Sequence, residues 1–219
     1  MATPRTKVFE NRRFTVEEYL AYERASETRH EYLDGDIRAM AGESNAHGEI
    51  CANVFGELYI QLKNSPCRLR AKDTKVLTGF ASLKKKKGLF SYPDIIVICG
   101  EPQFMDEHHD ILLNPKVIIE VLSDSTAGFD KEGKFIRYQK WLPTLTNYIL
   151  IEQDAPFVLH YRRLDADRWE AHGISGLEKT LELVSLDCRL PLVDIYNRIE
   201  FPPSVEDDTD ESETAETEP

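Results

Sequence analysis

The sequence predicts an α/β or α+β fold built on a sheet. Helix-patterned and strand-patterned segments alternate through the first part of the chain, and a meander of short strands follows. Residues 89–99 (LFSYPDIIVIC) and 115–123 (PKVIIEVLS) are continuous β-branched runs, the composition of strands buried on both faces.

Taken in order, Thr15 and Glu18 have the spacing of a capping box, and Val16, Tyr19, Leu20 and Tyr22 give the helix after them an apolar side. Asp34-Gly35 lies between two short runs and predicts a hairpin, with Glu31 on its first strand and Ile37 on its second. Ser44 or Asn45 can cap a second helix, whose Ile50, Val54, Leu58 and Leu62 recur every four residues. Residues 68–70 and 74–77 read as short strands. A basic loop, 79–88, carries Lys84, Lys85, Lys86 and Lys87. The two apolar strands come next, separated by a loop over 100–114. A helix is expected from about Asp130, with Phe135, Tyr138 and Leu142 inward and Pro143 ending it. Residues 147–152, 157–162, 169–172 and 181–184 follow as strands, and 192–198 as a short terminal helix.

The chain has 219 residues, with 27 basic and 39 acidic side chains and a net charge of −12. That balance argues against a protein held to nucleic acid by bulk positive charge. The acidity is uneven, however. Residues 204–219 hold eight acids and no base, leaving 27 bases against 31 acids and a charge of −4 for the rest. This segment has too little apolar surface to offset ordering entropy and is expected to be a disordered tail. Residues 1–13 read as a flexible arm and 14–203 as one folded domain. The four cysteines, Cys51, Cys67, Cys99 and Cys188, form no CxxC pair and read as buried reduced thiols. No apolar run is long enough to span a membrane and no signal region opens the chain, so a cytoplasmic location is expected.

Two acids sit inside the two most apolar strands. Asp94 precedes Ile95-Ile96-Val97-Ile98, and Glu120 follows Val117-Ile118-Ile119. A buried carboxylate is costly unless it is paired or bound to a cation, and two on neighbouring strands would repel. A divalent cation between them resolves the conflict, and hard oxygen donors suit Mg²⁺ or Mn²⁺. The bland alternative is that each acid lies at a strand end facing water or an arginine. Lys131 and Lys134 lie on the next helix, with Tyr138 one turn beyond Lys134. A lysine returning over a carboxylate pair can orient or deprotonate an attacking water, or neutralise charge on a phosphate in transit.

These residues resemble the PD-(D/E)XK nuclease superfamily. More narrowly, residues from about 14 to 200 resemble the Uma family of bacterial proteins described as restriction endonucleases. The similarity runs through Arg29–Ile37, Ser44 with His47, Pro93–Val97 and Glu120–Thr126, then closes with Asp130, Lys134 and Tyr138. It implies a restriction-endonuclease-like core, a mixed central sheet flanked by helices, to which the C-terminal antiparallel strands are added. It further implies Asp94 and Glu120 as metal ligands, joined by the Val121 backbone carbonyl, with Glu31 as the early acidic residue and Lys134 as the catalytic lysine. Two positions depart from the pattern. Leu122 stands where the superfamily lysine of E-x-K belongs, so Lys134 must reach back from the helix. Gly133 stands where the family often has an acid, and a helical glycine costs about 1 kcal/mol relative to alanine.

His47 either contacts phosphate or a water at the site, or bonds locally to Ser44. His108-His109 reads as a solvated loop. Lys84–Lys87 and Lys131 are candidates for the DNA backbone, although a merely solvated loop explains the lysine run equally well. The resemblance implies a Mg²⁺-dependent DNA endonuclease, often dimeric in this superfamily. The alternatives are a catalytically silent nucleic-acid- or protein-binding module on the same fold, and a metal-dependent hydrolase of another phosphoester.

Overall fold

The computed structural model describes residues 8–9, 12–79, 83–123 and 128–202. The acidic tail, residues 124–126 of the strand-end motif and most of the N-terminal arm lie outside them. Thr15 Oγ1 accepts the Glu18 amide and the Glu18 carboxylate accepts the Thr15 amide, so the capping box is complete. Helix α1 (Val16–Ala25) follows and buries Val16, Tyr19, Leu20 and Glu23. Strands β1 (His30–Leu33) and β2 (Asp36–Ala39) make the hairpin. Asp34 (φ 48°) and Gly35 (φ 100°) supply the two positive φ angles that a tight two-residue turn needs. Ser44 caps α2 (Asn45–Leu62) by accepting the His47 amide.

Strands β3 (Cys67–Ala71), β4 (Lys75–Thr78), β5 (Leu89–Ser91), β6 (Ile95–Cys99), β7 (Ile111–Leu112) and β8 (Val117–Val121) come next. A π-helical turn, Phe129–Lys134, runs into α3 (Phe135–Trp141). The C-terminal part comprises β9 (Asn147–Ile151), β10 (Phe157–Arg163), β11 (Trp169–Ser175), β12 (Thr180–Leu183), β13 (Cys188–Pro191) and α4 (Leu192–Ile195).

The strands form two large mixed sheets and a separate β12–β13 hairpin. One sheet has the order β2-β1-β5-β4-β7 and the other β11-β10-β9-β8-β6-β3. In the six-stranded sheet β8 and β9 are parallel, and the other neighbours are antiparallel. One face of this sheet packs Ile95, Val97, Ile119 and Val121 against α2, α4 and the β12–β13 hairpin. The opposite face packs Ile96, Ile118, Leu122 and Tyr148 against Tyr138 and Leu142, and meets Val76 and Leu89 of the five-stranded sheet. The far side of that second sheet is closed by α1.

The run 89–99 is therefore not one strand. Pro93 has no amide to donate, and the chain leaves one sheet at Ser91 and enters the other at Ile95. This break places Asp94 at the mouth of β6. The loop over 100–114 contains the short strand β7, and its Asp106 and Asp110 bind Arg24. The cysteine reading also needs correction. The β3–β6 register sets Cys67 opposite Cys99, with Cα atoms 4.0 Å apart, and the two are joined in a disulfide. Cys51 and Cys188 are buried free thiols, as expected. Among the described residues no helix is long and apolar enough to cross a membrane.

Gly133 has a packing reason. A Cβ there would lie 2.5 Å from the Phe129 ring, so a larger residue would force that ring to move. Gly133→Ala should gain about 1 kcal/mol in helix propensity and lose about 1–3 kcal/mol to overpacking. We expect no net stabilisation in urea unfolding, and a loss of up to about 2 kcal/mol from the same two terms.

Candidate active site

Extending the β6–β8 register by one residue sets Asp94 opposite Glu120. The two acids singled out in the sequence thus meet at one end of the central strand pair. Asp94 Oδ2 accepts the Val121 amide at 2.8 Å, and Oδ1 lies 2.9 Å from His47 Nε2. Burial favours the neutral acid here, but the His47 ring and the Val121 amide outweigh it and hold the Asp94 carboxyl below its ordinary value. The His47 amide bonds Ser44, the local reading offered for it, and its ring lies against Asp94. The contact given to Val121 is through its amide nitrogen.

Glu120 faces α3. Its Oε1 accepts from Lys134 Nζ at 2.9 Å and from the Tyr138 hydroxyl at 3.4 Å. Lys134 is wholly buried and also meets Asp130 Oδ1 at 2.9 Å and Glu31 Oε1 at 3.3 Å. The lysine does reach back from the helix turn to the strand, while Leu122, in the E-x-K position, is buried in the core. Burial works against the ammonium, but Asp130, Glu120 and Glu31 together push its pKa well above the ordinary lysine value. Lys134 therefore stays charged, which favours charge stabilisation over proton abstraction. Burial pushes Glu120 up to about 8, with Asp130 and Asp94 adding to the rise and Lys134 opposing it.

Four carboxylates thus share one end of the sheet with one ammonium and one imidazole. In this low-dielectric setting the excess negative charge requires protons or a cation. The donors are hard oxygens, so the set fits Mg²⁺ or Mn²⁺ on chemical grounds.

The remaining sequence candidates divide. Lys131 is paired with Glu152 at 2.7 Å. The Lys84–Lys87 side chains are exposed, but their loop is tethered. Lys85 O accepts the Val16 amide and Lys86 O accepts the Tyr32 hydroxyl, so the lysines stand beside the α1 N-terminus. His108 and His109 are exposed, in keeping with a solvated loop, and the His109 ring lies beside Phe104.

Two residues, and the role of a third already named, Asp130, escaped sequence reading. Asp130 completes the lysine cage, and its i,i+4 spacing to Lys134 was the available signal. Gln153 bonds both Ser44 Oγ and the Leu122 carbonyl, linking the start of α2 to the end of β8. Glu23 is the third. Its buried carboxylate accepts the His30 amide (2.9 Å) and the Tyr92 hydroxyl (2.7 Å), and it pairs with the His30 ring (3.0 Å). One side chain of α1 thereby clamps the segments that carry Glu31 and Asp94. Its signal was an acid on the Val16–Tyr19–Leu20 apolar face.

With fold and geometry in view, comparison with known proteins defines the class. The Uma2 family, described as "Putative restriction endonuclease", matches residues 16–192, and the chain belongs to this family. Two Synechocystis sp. (strain ATCC 27184 / PCC 6803 / Kazusa) proteins are similar to it. "Uncharacterized protein sll1609" is 32% identical over 168 residues, 77% of this chain and 91% of that protein. "Uncharacterized protein slr1290" is 28% identical over 189 residues, 86% of this chain and 94% of that one. A crystal structure of a "putative nuclease belonging to DUF820" from Anabaena variabilis ATCC 29413 has the same fold, with a TM-score of 0.67 and 19% identity. The match covers 84% of this chain and 97% of that one.

Two outcomes test this geometry. Glu23→Gln removes a buried charge that accepts two hydrogen bonds, and should cost about 1–3 kcal/mol in denaturant unfolding. Glu120 has a folded pKa of about 8, above its ordinary 4.5. Its contribution to stability is complete below the lower value and lost as pH rises through the upper one. In cation-free buffer the melting temperature of the wild type should therefore fall across that window relative to Glu120→Gln, and Mg²⁺ should reverse the fall.

Proposed function

We propose that this protein hydrolyses phosphodiester bonds in DNA with the help of Mg²⁺ or Mn²⁺. The observation carrying this reading is the Lys134 ammonium, wholly buried and 2.9 Å from Glu120 Oε1, at the strand end where Asp94 stands opposite Glu120. Asp94, Glu120 and the Val121 backbone carbonyl would hold the cation. When bound, the cation supplies charge stabilisation at the phosphoryl oxygens and makes water more acidic.

The chain's own groups do the rest. His47 and the Val121 amide fix both oxygens of Asp94, so its carboxylate keeps one orientation and stays ionised at neutral pH. Glu120 would be ionised when it holds the cation. Lys134 orients the attacking water and faces the charge that builds on the phosphate, while Glu31 and Asp130 hold its Nζ in place. Tyr138 steadies Glu120 and is itself bonded to Ser91. The exposed Lys84–Lys87 loop would meet the DNA backbone, giving a salt-sensitive affinity. A homodimer would set one site at each strand of a duplex.

In a catalytically silent module a lysine caged by three buried carboxylates would have a structural role alone. Replacing the cage with apolar residues would avoid the desolvation cost it now carries. The test is cleavage of plasmid DNA, labelled single strands and free nucleotides by purified protein with Mg²⁺ and Mn²⁺. Asp94→Ala should fall to background, and Lys134→Met should lose about 10²–10³-fold, the scale of one preorganised charge-stabilising donor. Cleavage that survives Asp94→Ala unchanged overturns the assignment. Hydrolysis of nucleotides but not DNA would move the substrate to a small phosphoester.

A further inference from the structure

We propose that α2 carries a second cation site, formed by Glu43, His47 and Cys51 and selective for a borderline metal such as Zn²⁺. One donor atom from each of the three lies within 4.8 Å of the other two. His47 and Cys51 are one turn apart on α2, and Glu43, just before the Ser44 cap, brings its Oε2 to 3.9 Å from His47 Nε2. An imidazole nitrogen, a thiolate sulfur and a carboxylate oxygen suit Zn²⁺ or Co²⁺ and suit Mg²⁺ poorly. The Asp94–Glu120 set has only oxygen donors in its carboxylates, so the two sites differ in the ions they prefer. A cleft of about 410 Å³, lined by Gly48, Cys51, Ala52, Lys72 and Asp94 among others, reaches the Cys51 side of the site.

The three donors are held in a form that a cation would replace. The Lys72 ammonium pairs with Glu43, so one positive charge already stands there. His47 Nε2 lies 3.9 Å from Glu43 Oε2 and 2.9 Å from Asp94 Oδ1. Binding displaces Lys72 from Glu43, and a cation on Nε2 takes the place of the proton that joins His47 to Asp94, that proton going to solvent or, by change of tautomer, to Nδ1. At Cys51 the S–H bond breaks, a sulfur–metal bond forms and the proton goes to solvent, with no change of oxidation state. Burial and the charges of Asp94 and Glu120 hold the free thiol protonated, and a divalent cation offsets both effects. Because His47 is common to this site and to the support of Asp94, a borderline metal bound here takes away one of the two groups that hold the Asp94 carboxylate. Zn²⁺ should therefore inhibit Mg²⁺-dependent cleavage, a consequence that rests on the function proposed above.

The test is a Co²⁺ titration of the full chain, read by sulfur-to-cobalt charge-transfer absorption. The wild type should show the band, Cys51→Ser should lack it, and Glu43→Gln should bind at least tenfold more weakly. Glu43 is exposed, so its variant reports even if Cys51→Ser fails to fold. No band in the wild type, or an undiminished band in Cys51→Ser, overturns the site. This readout does not depend on DNA cleavage, so it separates failure of the site from failure of the nuclease reading. In cleavage assays both variants should keep their Mg²⁺-dependent rate and resist Zn²⁺. Equal Zn²⁺ inhibition of wild type and both variants overturns the coupling.

Discussion

The Lys134 ammonium, removed from water and held by three carboxylates, is the constraint on which the arrangement depends. An isolated ammonium in that position would be driven to its neutral form, and the three acids without it would repel one another. The partners come from different parts of the fold. Glu31 belongs to the hairpin of the five-stranded sheet, Glu120 to the centre of the six-stranded sheet, and Asp130 to the turn that carries the lysine itself. One charge therefore fixes the spacing of both sheets and of the helix between them. It explains why polar groups persist in a region otherwise filled by Ile118, Leu122, Tyr138 and Tyr148.

A second buried polar contact, centred on Glu23, ties further elements together. Glu23 ties α1 to β1 and to the segment before Asp94. Neighbouring Lys75 lies 5.0 Å above the Tyr92 ring and binds Asp110, which in turn binds Arg24. The polar interior is thus a connected set whose members each hold the next, and it meets the candidate site at Glu31 and Asp94. Such networks are costly to leave half-satisfied, which favours a single geometry.

Much of this was legible in the sequence for a specific reason. Asp94, Glu120 and Glu31 stood out because carboxylates in β-branched or hairpin runs need a partner, and Asp34-Gly35 because few dipeptides accept two positive φ angles. What could not be read depends on register and on neighbours distant in the chain. Pro93 marked a strand start, but that β5 and β6 join different sheets follows from pairing alone. The Cys67–Cys99 bond required the β3–β6 register. Strand β7 is two residues long and has no period to detect. Gly133 could be read as a loosened helix, and only the position of Phe129 shows that it is a close-packed one.

The Cys67–Cys99 link closes a loop with a sequence separation of 32. Within that loop lie β4, β5 and Asp94, while the segments carrying Glu31, Glu120 and Lys134 lie outside it. In the unfolded chain the crosslink removes loop-closure entropy of about 3–4 kcal/mol on the polymer model. It also shortens the effective contour between the hairpin and the central strands, so the encounters that assemble the site cost less entropy. The covalent bond sits on an edge strand far in sequence from the lysine cage, yet part of the advantage of a rigid site is already present before the chain folds.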